Sequence, residues 1–95
     1  MEERVFYLLA YDMADDRRRQ KIARLMESMG VRVQGSVFEA YMTPAELERT
    51  LRRAQKYFRK EEDSLRIYPL CAACRSKVRT LGQGALTPPP GVKIV

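Results

Sequence analysis

The chain has 95 residues, 45% of them hydrophobic and 32% charged, a globular balance with room for one small domain. Eighteen Lys and Arg against twelve Asp and Glu leave a net charge of +6, which favours a polyanionic partner and says nothing about fold. Histidine is absent, which excludes a histidine general base, a histidine-activated nucleophile and the common histidine-containing zinc sites. Catalysis would have to come from carboxylates, a metal ion, or Lys, Tyr or Cys. No apolar run is long enough to span a bilayer, and Met1-Glu2-Glu3-Arg4 does not read as a secretory signal. Two cysteines are too few for a disulfide scaffold, so a cytoplasmic protein is expected.

Val5-Phe6-Tyr7-Leu8-Leu9-Ala10-Tyr11 is an apolar run closed by Asp12, the pattern of a central strand buried on both faces. Met13-Ala14-Asp15-Asp16 is a turn in which Asp15 or Asp16 caps a helix running to about Met29 and stopping at Gly30. Ile22, Leu25, Met26 and Met29 face the core, while Arg17, Lys21 and Arg24 share a solvent face. Val31 to Gln34 and Val37 to Met42 read as two strands, with Gly35 as a bulge or tight turn between them. Thr43, Pro44 and Glu46 form a capping box with proline at the first helical position. The apolar stripe Leu47, Leu51, Ala54 and Phe58 follows. Leu65 to Leu70 is a fourth strand, with Pro69 placing it at an edge. From Cys71 the pattern weakens. Residues 1–82 form the domain, and residues 83–95 an extended, proline-stiffened tail ending in a short strand, Gly91 to Val95.

The order βαββαβ predicts an α+β fold: a ferredoxin-like sandwich with a four-stranded antiparallel sheet and both helices on one face. The first strand is apolar on both faces, with Val5, Tyr7, Leu9 and Tyr11 on one and Phe6, Leu8 and Ala10 on the other, so whichever face the helices leave uncovered needs a lid. A second copy of the sheet supplies one, so a homodimer is expected, with the extra C-terminal strand pairing onto the partner.

Asp12 sits where a strand end opens onto a cleft. It is either a cap for the following turn or a metal ligand. Magnesium keeps several waters and takes one or two carboxylates plus phosphate oxygens. A two-fold axis near the strand end would bring two copies of Asp12 to one ion, which could activate water and shield a phosphodiester. Asp15 and Asp16 read as helix caps. Arg17, Arg18, Arg19, Lys21 and Arg24 make the first helix densely positive, and Arg49, Arg52, Arg53 and Lys56 do the same for the second. Each is ordinary as a solvated residue. As clusters they suit phosphate contacts with a nucleic acid, with little sequence readout. Arg32 interrupts an apolar strand and points outward or toward a cleft; Ser36 is a turn hydroxyl or a water-positioning group; Phe38 reads as core. Cys71-Ala72-Ala73-Cys74 is a single CxxC, too few ligands for zinc unless a dimer supplies four thiolates; that site and a redox-active pair are the lesser readings, and two buried or incidental thiols the default.

The segments Val5 to Asp12, Gly30 to Glu39 and Asp63 to Leu70, with the Asp-Asp-Arg-Arg run between the first two, resemble the Cas-two family of small CRISPR-associated proteins of spacer acquisition. The resemblance covers roughly Arg4 to Leu70. It implies a ferredoxin-like homodimer working with the Cas-one integrase, and a metal-dependent nuclease acting on single-stranded RNA or double-stranded DNA with Mg2+, or Mn2+ in its place. It places the metal-binding aspartate on Asp12 and residues tied to nuclease activity on Tyr11, Arg19, Lys21, Arg32 and Phe38, with Ser36 in the matching loop. Lys21 stands where arginine can occur, which loses a bidentate phosphate grip. Two other readings share the basic surface: a non-catalytic adaptor that bridges integrase dimers and holds the DNA to be inserted, and a toxin-like ribonuclease on the same fold.

Overall fold

The apolar run becomes β1 (Val5–Asp12), an interior strand with a neighbour on either side. The computed structural model describes residues 3–82 and 84–88. β1 pairs antiparallel with β3 (Val37–Met42), Val5 opposite Met42 and Ala10 opposite Val37. On its other side it pairs antiparallel with β4 (Ser64–Leu70), Phe6 opposite Leu70 and Asp12 opposite Ser64. β2 (Val31–Gln34) adds to the free side of β3, giving the order β2-β3-β1-β4. This is the expected ferredoxin-like sheet, and Pro69 lies on an edge strand as its missing N–H requires.

Two helices form where their caps predict. Asp15 is the N-cap of α1 (Asp16–Met29), and its carboxylate accepts from the Arg18 N–H at 2.9 Å. That hydrogen bond holds the Asp15 carboxyl below its ordinary pKa. α2 (Pro44–Gln55) opens with the full capping box: Thr43 accepts from the Glu46 N–H at 3.1 Å, and Glu46 accepts from the Thr43 N–H at 2.9 Å. The helix ends at Gln55 with Lys56 as its C-cap, so Lys56 and Phe58, expected on the helix, lie at and beyond its end. Phe58 still packs against the core, from the turns that follow.

The core lies between the helices and one face of the sheet. Tyr7, Leu9 and Tyr11 from β1, Phe38, Ala40 and Met42 from β3 and its end, and Ile22, Leu25 and Met26 from α1 are all buried there. Gly30 ends α1 in extended backbone, not a left-handed turn. Its reason is proximity: a Cβ there would collide with the Glu39 carbonyl oxygen and stand 2.8 Å from the Ala40 Cβ. Of the two readings of Gly35, the tight turn is the one the structure shows, and a separate bulge stands before it. The β2–β3 register shifts between Arg32 and Gln34, around Val33, and Gly35 belongs to the tight turn that follows.

The other sheet face is partly covered by the chain itself. Phe6 is buried edge-on against Tyr41, ring centroids 5.1 Å apart. Leu8 and Ala10 remain half-exposed, and Tyr68, opposite Leu8, is exposed. An element absent from the sequence reading stands at the end of β4: α3 (Ala72–Ser76), with Cys71 as its N-cap. Arg75 of α3 donates to the Tyr41 hydroxyl at 3.1 Å, and that hydroxyl donates to the Thr87 carbonyl at 2.9 Å. The expected strand Gly91 to Val95 lies outside the described residues.

Candidate functional site

The carboxyl end of β1 and the β2–β3 turn meet at one end of the sheet. The Tyr11 N–H donates to the Ser36 carbonyl at 3.1 Å, and the Tyr11 hydroxyl reaches the Gly35 carbonyl at 3.4 Å. The rings of Tyr11 and Phe38 stack with centroids 6.1 Å apart. The Arg32 guanidinium lies over the Phe38 ring, 5.2 Å from its centroid, and pairs with Glu27 at 3.1 Å. Tyr11 is 4% and Phe38 0% exposed, so both rings shape the site from beneath. Arg32 and Asp12 are the exposed members.

Arg19 joins this group through the backbone: its guanidinium donates to the Met13 carbonyl at 3.0 Å, one residue past Asp12, and also pairs with Asp16. Contacts thus join Tyr11 to the Ser36 carbonyl, to Phe38 and through it to Arg32, and tie Arg19 to the backbone next to Asp12; alternation along β1 turns the Asp12 side chain to the opposite sheet face from Tyr11, so the structure does not bring Asp12 and Arg32 together. Lys21 makes its contact elsewhere, 5.2 Å over the Tyr57 ring.

The metal question turns on donor count. Asp12 is an exposed carboxylate, and among the described residues no three His, Cys, Asp or Glu side chains cluster as metal ligands. A water-rich magnesium ion accepts a single protein carboxylate when phosphate oxygens complete its shell. Asp12 fits as one such ligand and not as a complete site.

A basic groove runs between the two long helices. Lys21, Arg24, Leu25, Ser28, Arg53, Lys56 and Tyr57 line a depression of about 470 Å³. It continues past Arg53 and Lys56 to Arg49 and Arg52, and past Lys21 and Lys56 to Arg17, Arg18 and Arg59. Among the described residues, Lys21, Arg24, Arg53 and Lys56 make no salt bridge. Four cations around one concavity repel one another unless an anion lies among them. Arg18 differs: its guanidinium is engaged by Glu62 and by the buried Asp63. Tyr57 and Asp63 were not legible as site-forming residues. Their roles arise from chain crossings rather than from any local motif.

A ferredoxin-like sheet with an exposed strand-end aspartate and a cationic helical face defines a small α+β protein with a strongly basic surface. The family described as CRISPR associated protein Cas2 matches residues 5–78, and the chain belongs to that family. It is 46% identical over 89 residues to a protein of Synechocystis sp. named CRISPR-associated endoribonuclease Cas2 3, covering 94% of this chain and 97% of the relative. It is also 46% identical over 80 residues to the CRISPR-associated endonuclease Cas2 2 of Thermus thermophilus, covering 84% of each. The crystal structure of Streptococcus pyogenes Cas2 superposes with a TM-score of 0.72 at 34% identity, covering 81% of this chain and 99% of that one. A chain of a partial Cas6-RT-Cas1–Cas2 complex superposes with a TM-score of 0.66 at 34% identity, covering 81% and 90%. Among the described residues no helix is long and apolar enough to cross a membrane.

Proposed function

We propose that this protein is a metal-dependent endonuclease of CRISPR spacer acquisition, cleaving phosphodiester bonds in single-stranded RNA or double-stranded DNA as a homodimer. The observation that carries this reading is the exposed Asp12 carboxylate at the end of β1, next to the backbone that Arg19 braces at Met13, in a chain without histidine. Relatives at 46% identity bear the names endoribonuclease and endonuclease, which supports the same activity here. Asp12 would hold Mg2+, with Mn2+ as a substitute, and a second copy would contribute its own Asp12. The ion supplies charge neutralisation at the scissile phosphate and a more acidic bound water.

The chain's own residues do the positioning. Tyr11 fixes the β2–β3 turn through its N–H and hydroxyl, and Phe38 supports both Tyr11 and Arg32. Arg32 offers a guanidinium to a phosphate oxygen. The helical groove holds the polyanion through Lys21, Arg24, Arg53 and Lys56, with Arg17, Arg49 and Arg52 along its extensions. Leu8, Ala10 and Tyr68 form the apolar face that a second copy covers. The partner in the cell is the Cas1 integrase, as the likeness to a chain of a Cas1–Cas2 complex supports, and the site of action is the cytoplasm.

Cleavage of RNA and duplex DNA by wild type and Asp12→Asn, with magnesium, manganese or chelator, tests the reading. Wild type should cleave only with metal, and the variant should lose at least about 10- to 100-fold, the scale on which metal sites respond even to lost supporting contacts. Equal cleavage by both proteins would remove Asp12 from the chemistry.

A further inference from the structure

Cys71 and Cys74 lie outside everything described so far, yet the fold arranges them as a pair. Both are free thiols and both are exposed. Cys71 caps α3, and its sulfur accepts the Cys74 N–H at 3.4 Å. The hydrogen bond lends Cys71 thiolate character, lowering its pKa, while the adjacent Cys71 sulfur pushes Cys74 up. One thiol is thus prepared to attack and the other to remain protonated until needed. Among the described residues no group of three metal-ligating side chains includes them.

The pair is also connected. Arg75 follows Cys74 directly, donates to the Tyr41 hydroxyl at 3.1 Å and lies 5.4 Å over its ring centroid. Tyr41 donates to the Thr87 carbonyl, and Thr87 donates through its N–H and hydroxyl to the buried Glu39 at 3.0 Å and 2.7 Å. From Arg75, the residue next to Cys74 in the chain, side-chain hydrogen bonds run through Tyr41 to Thr87 and Glu39.

We propose that Cys71 and Cys74 form a reversible dithiol–disulfide couple whose redox state is passed through Arg75 and Tyr41 to the segment held at Thr87. The oxidant is a low-molecular-weight disulfide. The Cys71 thiolate attacks one of its sulfurs, forming a mixed disulfide and releasing one thiolate, which takes a proton from water. Cys74 then loses its proton to solvent and attacks the Cys71 sulfur, expelling the second thiolate, which is protonated in turn. The protein loses two electrons and two protons, and the small disulfide gains them as two thiols. Cys71 lies just outside the helix as its N-cap, with its sulfur on the Cys74 N–H. Closure draws that sulfur off the amide and onto the Cys74 sulfur, so the first turn of α3 loses its cap and Arg75 shifts against Tyr41.

Reduced full-length protein is titrated with mixtures of oxidised and reduced glutathione, followed by intact mass and by amide exchange at Thr87. Wild type should lose two hydrogens within one chain without accumulating a glutathione adduct. Cys74→Ser should trap the adduct on Cys71, and Cys71→Ser should react at least about tenfold more slowly, in keeping with thiolate-controlled reactivity. Oxidation should change Thr87 exchange several-fold in wild type but not in Arg75→Ala, which still forms the disulfide. Equal reactivity of the two single variants, a disulfide only between chains, zinc that copurifies and protects the thiols, or Thr87 exchange indifferent to oxidation would each overturn the proposal.

Discussion

Arg18 grips Asp63 with two prongs across the molecule: Nε to Oδ2 at 3.1 Å and Nη2 to Oδ1 at 3.1 Å. The carboxylate, buried one residue before β4, also accepts the Arg59 N–H at 2.9 Å. Together they tie the first turn of α1 to the connection between α2 and β4. The Arg18 guanidinium is the largest influence holding the Asp63 carboxyl below its ordinary pKa, and Asp63 in turn raises that of Arg18.

A depressed carboxyl makes folding pH-dependent. Unfolded, Asp63 binds its proton near the usual carboxylate value of about 3.9; folded, it holds out to lower pH. The stabilisation is present above that value and is lost as pH falls through the folded pKa. Acid titration of thermal midpoints should show a steeper fall below about pH 4 in wild type than in Asp63→Asn, and the variant should melt earlier at neutral pH.

Two glycines should behave in opposite ways. Gly30→Ala drives a methyl into the Glu39 backbone, and overpacking of this kind costs about 1–3 kcal/mol. Gly35 has nothing within 4 Å of a built Cβ and no positive φ, so Gly35→Ala should change stability by less than about 0.5 kcal/mol. Urea unfolding of the two variants checks both values.

The groove cations should govern salt dependence. Replacing Lys21 and Lys56 together by alanine removes two unpaired cations from one depression. Plots of log affinity for duplex DNA against log salt should become shallower by about 1.8, at about 0.9 per phosphate contact. A matched Lys60→Ala, Lys77→Ala control should alter the slope less.

The half-exposed sheet face gives a prediction about assembly. Leu8→Asp places a charge between Ala10 and Tyr68 without touching the helix-side core. Light scattering should show a dimer for wild type and a folded monomer for the variant.

Most of the scaffold was readable locally. Asp15, the Thr43-Pro44-Glu46 box and the uninterrupted β1 run each carry a short-range signal that folding preserves. α3 carries none: its five residues, Ala72–Ser76, have no buried face. They form a helix because Cys71 caps them and Arg75 finds Tyr41. The strand-end group was half legible, since Tyr11 and Asp12 end one run, while the meeting of Arg32 with Phe38 depends on strand register. Lys21 above Tyr57 and Arg18 on Asp63 were beyond local reading, because both contacts join segments that are remote in sequence.

The place of β1 in the sheet bears on how the molecule comes into being. Its two partners, β3 and β4, both arrive after it during synthesis, and one flank stays unpaired until residues 64–70 have emerged from the ribosome. Long-range pairing of this kind slows collapse and leaves a greasy, sticky ribbon exposed meanwhile. Nascent chains stalled before Ser64 should therefore recruit chaperones, and those stalled well beyond Leu70 should let them go.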